Sequence, residues 1–368
     1  MGLPKFAHIH FTYLPYLCGI TNRMRNIIHH VGDKKDHFVV CYDRDHLERP
    51  QDTIEGVDVY RFDDFDEQTL HRYLHLGAGI ESELNESIQC IRAKRADVLC
   101  LYYHRGLPQL IRHALPEKRL IYMPVFIDEH FSAELFNHPR VKIILFGKSM
   151  LQACLDHGID RSSIHVLEKP IDTAFFSPLP LERHPRRLLY VGRINQCKQI
   201  PEFLESIAPL FDKYPNLHFH IVGDCAPTLF PQQTKDEIDR IKQKAHALRI
   251  QDRIVFLGKK SGRDLLEEYS RSSIHVLPGR GECRSTVTQE SLAMGLTCVN
   301  YKKHPYDWPD TRPDGVQMIH YVDDVAEFKP ILDTLLANSP LPSHRPYVES
   351  HWSWNQWRRE YEKAFSAW

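Results

Sequence analysis

Two α/β lobes, each a parallel sheet with crossover helices, are predicted from three observations. A strand-and-helix alternation runs through the sequence twice, a proline-rich divider separates the two runs, and a length of 368 residues suits about two domains. In the first run, apolar segments at 6–11, 38–42, 57–62, 98–103, 120–124 and 142–146 read as strands. The second run repeats the pattern at 188–191, 218–222, 254–257, 274–277 and 297–300. The prolines of 170–185 cannot continue a helix and mark the junction. The expected organisation is a Rossmann-like lobe over 1–172, a second over 173–346, and a helical, aromatic-rich tail over 347–368. Open parallel sheets bind ligands outside the carboxyl ends of their strands, so the functional residues are expected there, in a cleft between facing lobes.

Composition narrows the function classes. With 42% hydrophobic and 26% charged residues the chain reads as an ordinary soluble globular protein. A net charge of −1 gives no bulk drive toward nucleic acid or an anionic membrane. The nine cysteines show no Cys-x-x-Cys pairing or zinc-like spacing and read as free thiols of a reducing compartment. No run of about twenty apolar residues and no signal-like leader is visible, so a cytoplasmic location is expected. One local patch departs from neutrality. The helix read over 21–31, with Arg23, Arg25, His29 and His30 followed by Lys34 and Lys35, has a basic face suited either to solvent or to a peripheral membrane contact.

The most informative motif begins where the strand at 274–277 ends. Glu282 follows that strand in a loop, and Glu290, eight positions on, lies inside the next helix. Ser285, Thr286 and their neighbours bring backbone N–H groups to the helix N-terminus, where unpaired donors and the helix dipole favour an anion such as a diphosphate. Two carboxylates beside it can accept hydrogen bonds from sugar hydroxyls. Upstream, the strand at 188–191 runs into Gly192-Arg193, with Lys198 five positions after the arginine, so two cations follow a second strand end.

These two motifs resemble the donor domain of retaining glycosyltransferases of family 4. The Gly-Arg-x4-Lys and Glu-x7-Glu spacings match it, as do Val222-Gly223-Asp224, the strand ending in Leu257-Gly258, the segment Lys169-Pro170-Ile171-Asp172-Thr173 and the tail's Trp352-Ser353-Trp354. The resemblance implies the two-lobe GT-B fold, with the tail crossing back onto the first lobe. It implies transfer of a sugar from a nucleoside diphosphate, UDP- or GDP-linked, to an acceptor hydroxyl of a glycan, glycolipid or protein, as in polysaccharide biosynthesis. Arg193 and Lys198 would neutralise the departing diphosphate, Glu282 would hold hydroxyls of the transferred sugar, and Glu290 those of the ribose. Gly192, Cys283, Arg284, Ser285 and Thr286 complete the donor set. Gly19, after the first strand, would let the backbone approach the phosphates.

On the acceptor side the sequence departs from the family pattern. Where a histidine is usual after the strand at 120–124 this chain has Met123-Pro124-Val125-Phe126, leaving His104, Arg105, Asp128, His130 and Arg280 as candidates. No metal or other cofactor is implied. The Asp-x-Asp triplets Asp43/Asp45 and Asp64/Asp66 fall in the lobe away from the donor motifs. Other readings with the same fold are a nucleotide-sugar epimerase, a phosphorylase, or a catalytically silent binding subunit.

Overall fold

The computed structural model describes residues 4–11, 13–14, 19–42, 50–63, 85–102, 107–124, 127, 133–223, 231–280, 285–301 and 309–366. It divides into two compact units, Met1–Lys169 with Trp357–Trp368, and Pro170–Gln356. The divide falls three residues before the expected one. The tail also joins the first unit later than expected, at Trp357, because Val348 and Trp352 are buried with Ile171, Leu292 and Ile319 of the second unit.

The first unit is built on β1 (Phe6–His10), β2 (His37–Cys41), β3 (Gln51–Ile54), β4 (Val57–Arg61), β5 (Val98–Tyr102), β6 (Arg119–Met123), β7 (Val141–Phe146) and β8 (Ile164–Leu167). Their order is β3-β4-β2-β1-β5-β6-β7-β8, parallel apart from β3, which pairs antiparallel with β4. β1, β2 and β5 are buried along their whole length, as expected of central strands covered by helices on both faces. The basic helix, Gly19–His30, is largely committed to its own unit. Arg25 forms a two-pronged pair with Glu55 at 2.6 and 2.7 Å, Lys34 donates to the Glu55 carbonyl, and the Arg23 guanidinium lies 4.2 Å from the Phe146 ring centre. Lys35 pairs with Asp33. Among the described residues no helix is long and apolar enough to cross a membrane.

A buried polar chain runs through this unit. His37 Nε2 faces the Val31 carbonyl, which can only accept, so that nitrogen carries the proton and Nδ1 is left with a lone pair. His8 Nε2, 2.9 Å from that lone pair, must then donate, and His8 Nδ1 accepts from the Tyr102 hydroxyl at 2.7 Å. One carbonyl thus orders every proton in the row.

The second unit is built on β9 (Arg187–Val191), β10 (His218–Val222), β11 (Ile254–Gly258), β12 (Ile274–Leu277), β13 (Thr297–Tyr301) and β14 (Ile319–Val322), in the order β11-β10-β9-β12-β13-β14 with every pairing parallel. Leu188, Tyr190, Phe219, Ile221, Ile274 and Val276 form one face of its core with the helices Ile200–Lys213 and Phe328–Ala337.

His275, in the middle of β12, is fully buried, and among the described residues neither ring nitrogen has a hydrogen-bond partner. Burial pushes its pKa down to about 3. His344 is pushed down to about 4 by burial and then by the Arg312 charge, and His8 lies well below 6.5 through burial and His37. Each of these groups is depressed in the folded state, so the unfolded chain takes up the proton first. Stability is complete above about pH 6.5 and is lost as pH falls toward 3–4, by up to ~1.4 kcal/mol per pH unit per group. The melting temperature should therefore fall steeply between pH 6.5 and 4. His275→Leu should melt higher than wild type at pH 7 and flatten the slope, and thermal unfolding across pH measures both.

Candidate functional site

The site grows from the sheet order of the second unit. The chain leaves β9 on one side for β10 and β11 and returns on the other for β12 to β14, so the carboxyl ends of β9 and β12 border a topological switch point. The Gly192-Arg193 and Gly279-Arg280 turns both leave from this place.

Glycines make the close approach feasible. A β-carbon on Gly223, which has φ +153°, would lie 1.8 Å from the Gly192 carbonyl oxygen. Gly192 donates its N–H to the Val222 carbonyl at 3.0 Å, and Gly223 to the Gly258 carbonyl at 2.9 Å, so the ladder continues past the strand ends. Fully buried Tyr190 donates its hydroxyl to the Arg193 carbonyl at 2.7 Å, holding the turn from below. Its oxygen would stand 3.0 Å from a β-carbon on Gly192.

Lys198 ends a short 3-10 turn, Gln196–Lys198, and left-handed Gln199 (φ 50°, ψ 35°) then turns the chain into the helix Ile200–Lys213. A β-carbon on Gly279 would meet Lys198 Cδ at 3.0 Å and the Cys197 carbonyl at 3.1 Å. The loop after β12 therefore lies directly on the Lys198 stem. The Lys198 pKa is lowered first by burial and then by the charge of Arg193, which puts the two cations within electrostatic reach of each other. An anion bound there would offset both effects.

The helix Thr286–Ala293 follows, with Ser285 at its N-cap making no side-chain capping bond. Its far end is anchored by two guanidiniums. Arg345 donates to the Ala293 carbonyl at 3.1 Å, and Arg183 to the carbonyls of Met294 at 2.7 Å and Gly295 at 2.8 Å. Cations at the carboxyl end complement the helix dipole. Arg345 also donates to the carbonyls of Phe176 and Thr173 at 2.6 and 2.9 Å, tying in the turn after Asp172. Glu290 accepts from the hydroxyl of buried Tyr269 at 2.8 Å, and burial, then the Glu290 charge, hold the Tyr269 pKa well above 10. Tyr269 is thus fixed as the donor that orients Glu290.

Of the residues expected from the sequence, Gly192, Arg193 and Lys198 meet at the switch point, with Ser285, Thr286 and Glu290 on the helix after the β12 loop. Arg280 is turned to Tyr301, with Nε 3.2 Å from its hydroxyl and the guanidinium 5.4 Å from the ring centre. Gly19 opens the helix Gly19–His30 in the first unit. Glu282, Cys283, Arg284, His104, Arg105, Asp128 and His130 lie outside the described residues, as do Asp43, Asp45, Asp64 and Asp66. Among the described residues no cluster of His, Cys, Asp or Glu could hold a metal ion. Tyr269, Arg183 and Arg345 went unnoticed in the sequence because their partners lie 21, 112 and up to 172 positions away, whereas Tyr190, three residues from Arg193, reads in the sequence only as part of the apolar strand.

Residues 172–342, which contain every element of this switch point, match the family glycosyl transferases group 1. They form a group 1 glycosyltransferase domain. Over 181 residues, 45% of this chain, the sequence is 24% identical to a D-inositol 3-phosphate glycosyltransferase of Corynebacterium glutamicum. The match spans 42% of that relative's length. Solved structures similar along the whole chain include Anabaena Alr3699/HepE in complex with UDP and glucose, with TM-score 0.70, 14% identity and full coverage of both chains. Another is a sucrose-phosphate synthase from Thermosynechococcus elongatus, with TM-score 0.69, 13% identity and full coverage of both. At these identities the likeness carries the fold, which is GT-B.

The glycine contacts in the glycosyltransferase domain set a stability prediction. Gly258→Ala meets no atom of the described residues within 4 Å, and its positive φ costs ~1–2 kcal/mol. Gly223→Ala pays a similar term and must also displace the Gly192 carbonyl, at least ~2 kcal/mol more. Urea unfolding of the two variants checks the difference.

Proposed function

We propose that the chain transfers a sugar from a nucleoside diphosphate sugar, UDP-linked by preference, to an acceptor hydroxyl with retention of the anomeric configuration. One observation carries the reading: Lys198 and Arg193 converge at the switch point where Gly279 lies on the lysine stem. The family match supports the reaction class, and UDP in the similar HepE structure supports the nucleotide.

In this reading the diphosphate sits against the Gly192–Lys198 turn and the N-terminus of the Thr286–Ala293 helix. Glu290, oriented by Tyr269, accepts from the ribose hydroxyls, and Glu282 from the transferred sugar. As the anomeric bond breaks, negative charge gathers on the leaving phosphate, and the two cations stabilise that charge more strongly than the ground state. The departing phosphate takes the proton of the attacking hydroxyl on the same face, so no carboxylate nucleophile is needed.

Lys198→Ala and Arg193→Ala should each lower kcat by roughly a hundredfold to a thousandfold, comparable to loss of one oxyanion donor. A sugar-transfer assay with UDP-sugars and a hydroxyl acceptor reads this directly, and wild-type turnover in both variants refutes the assignment. Tyr269→Phe should weaken UDP binding by about ten- to a hundredfold, the loss of a hydrogen bond to a charged group, as measured by calorimetry. Activity should also persist in EDTA, and complete loss on chelation would require a metal-dependent mechanism instead.

A further inference from the structure

We infer a second ligand site in the Pro170–Gln356 unit, for a phosphate dianion that carries a hydroxyl, at the amino ends of β9 and β10. It lies at the opposite ends of these strands from the Gly192–Lys198 turn, and it stands independently of the donor reading. A pocket of about 460 Å3 opens there, lined by His184, Arg186, Arg187, Asn216, His218 and His220.

Its main cation is preorganised. Arg187 N–H closes a tight turn onto the His184 carbonyl at 3.2 Å, and His184 N–H is tied to the Arg271 carbonyl at 2.9 Å. Pro185, inside that turn, fixes φ and stiffens it. The turn offers Arg186, whose guanidinium lies 4.8 Å from the Tyr214 ring centre, and the Tyr214 hydroxyl is itself held by Asp333 at 2.6 Å. Among the described residues, no N–H of the Arg186 guanidinium has a hydrogen-bond or ion-pair partner. A guanidinium held over an aromatic ring, with its donor fork unused among the described residues, is suited to two-pronged binding of an oxyanion.

The histidines add a directional pattern. Arg187 Nη2 lies 2.7 Å from His220 Nδ1, and a guanidinium can only donate, so Nδ1 accepts and neutral His220 carries its proton on Nε2. Glu268, 3.2 Å from Arg187 Nη2, balances the Arg187 charge, and at 3.5 Å from His220 Nδ1 it is the weaker claimant on that nitrogen. His218 has the opposite tautomer. Its Nδ1 donates to the Asn216 carbonyl at 3.1 Å, which leaves a lone pair on Nε2. The pocket therefore combines an unbalanced guanidinium and an imidazole N–H with one imidazole acceptor. Monohydrogen phosphate, or the phosphate monoester of a polyol, supplies anionic oxygens for the first two and a hydroxyl for the third. Sulfate supplies no hydroxyl.

The test is calorimetric titration of the full chain at pH 8 and fixed ionic strength with inorganic phosphate, glycerol 3-phosphate and sulfate. Phosphate should bind about tenfold more tightly than sulfate, the worth of one hydrogen bond. Tighter binding of glycerol 3-phosphate than of phosphate identifies a monoester as the natural ligand, and equal or weaker binding identifies the free ion. Arg186→Ala should abolish binding, Arg186→Lys should retain part of it, and His218→Phe should erase the preference over sulfate. With UDP saturating the switch point at the other end of the sheet, phosphate binding should persist in the wild type and be lost in Arg186→Ala. Unchanged phosphate affinity in both Arg186 variants, or loss of phosphate binding on adding UDP, overturns the proposal.

Discussion

A carbonyl oxygen standing where a β-carbon would be is the constraint on which the second unit depends. With Gly192 O against Gly223, and the Cys197 carbonyl and Lys198 stem against Gly279, the turns after β9, β10 and β12 meet at distances that side chains would prevent. Two cations are delivered to one place by this backbone approach. The energy that orients them is spent on ordinary structure: ladder bonds continued past the strand ends and the buried Tyr190 hydroxyl under Arg193. Little is left to side-chain flexibility, which suits a site that must be organised before charge develops in it.

The Thr286–Ala293 helix completes the arrangement by being fixed at its far end. Its closing carbonyls are occupied by Arg183 and Arg345, and it is packed on β13 through the Asn300 bond to Thr288. Its amino end, where Ser285 makes no side-chain capping bond, follows the β12 loop. Polar groups elsewhere in the core are arranged with similar economy, as in the His8, His37 and Tyr102 row whose proton order follows from one carbonyl.

Much of this was legible in the sequence. All eleven strands expected from apolar runs are present, with ends within a residue of those read, because central parallel strands are buried on both faces and show as continuous apolar segments. The missing strands, β3, β8 and β14, are edge strands. β3 alternates exposed and half-buried residues in Gln51–Ile54, and β14 reads Ile-His-Tyr-Val, too short and polar to stand out. Arg193, Lys198 and Glu290 were marked by spacing from strand ends. Tyr269 and Arg345 were not, since their partners lie 21 and up to 172 positions away and no local pattern encodes such pairing. The basic face of the Gly19–His30 helix was visible, but its pairing with Glu55 depends on a neighbouring β-turn that composition does not reveal.

Arg345 also bears on where this unit can be divided. The family correspondence stops at 342, yet the guanidinium that closes the Thr286–Ala293 helix lies three residues further on, and Trp352 covers Leu292, Cys298, Met318 and Ile319 from beyond the same limit. A fragment cut at the edges of the recognised family region would open an apolar trough and release the helix that supplies Glu290. The compact unit of this half accordingly extends to Gln356, and the contacts that close it lie outside the span of the family match.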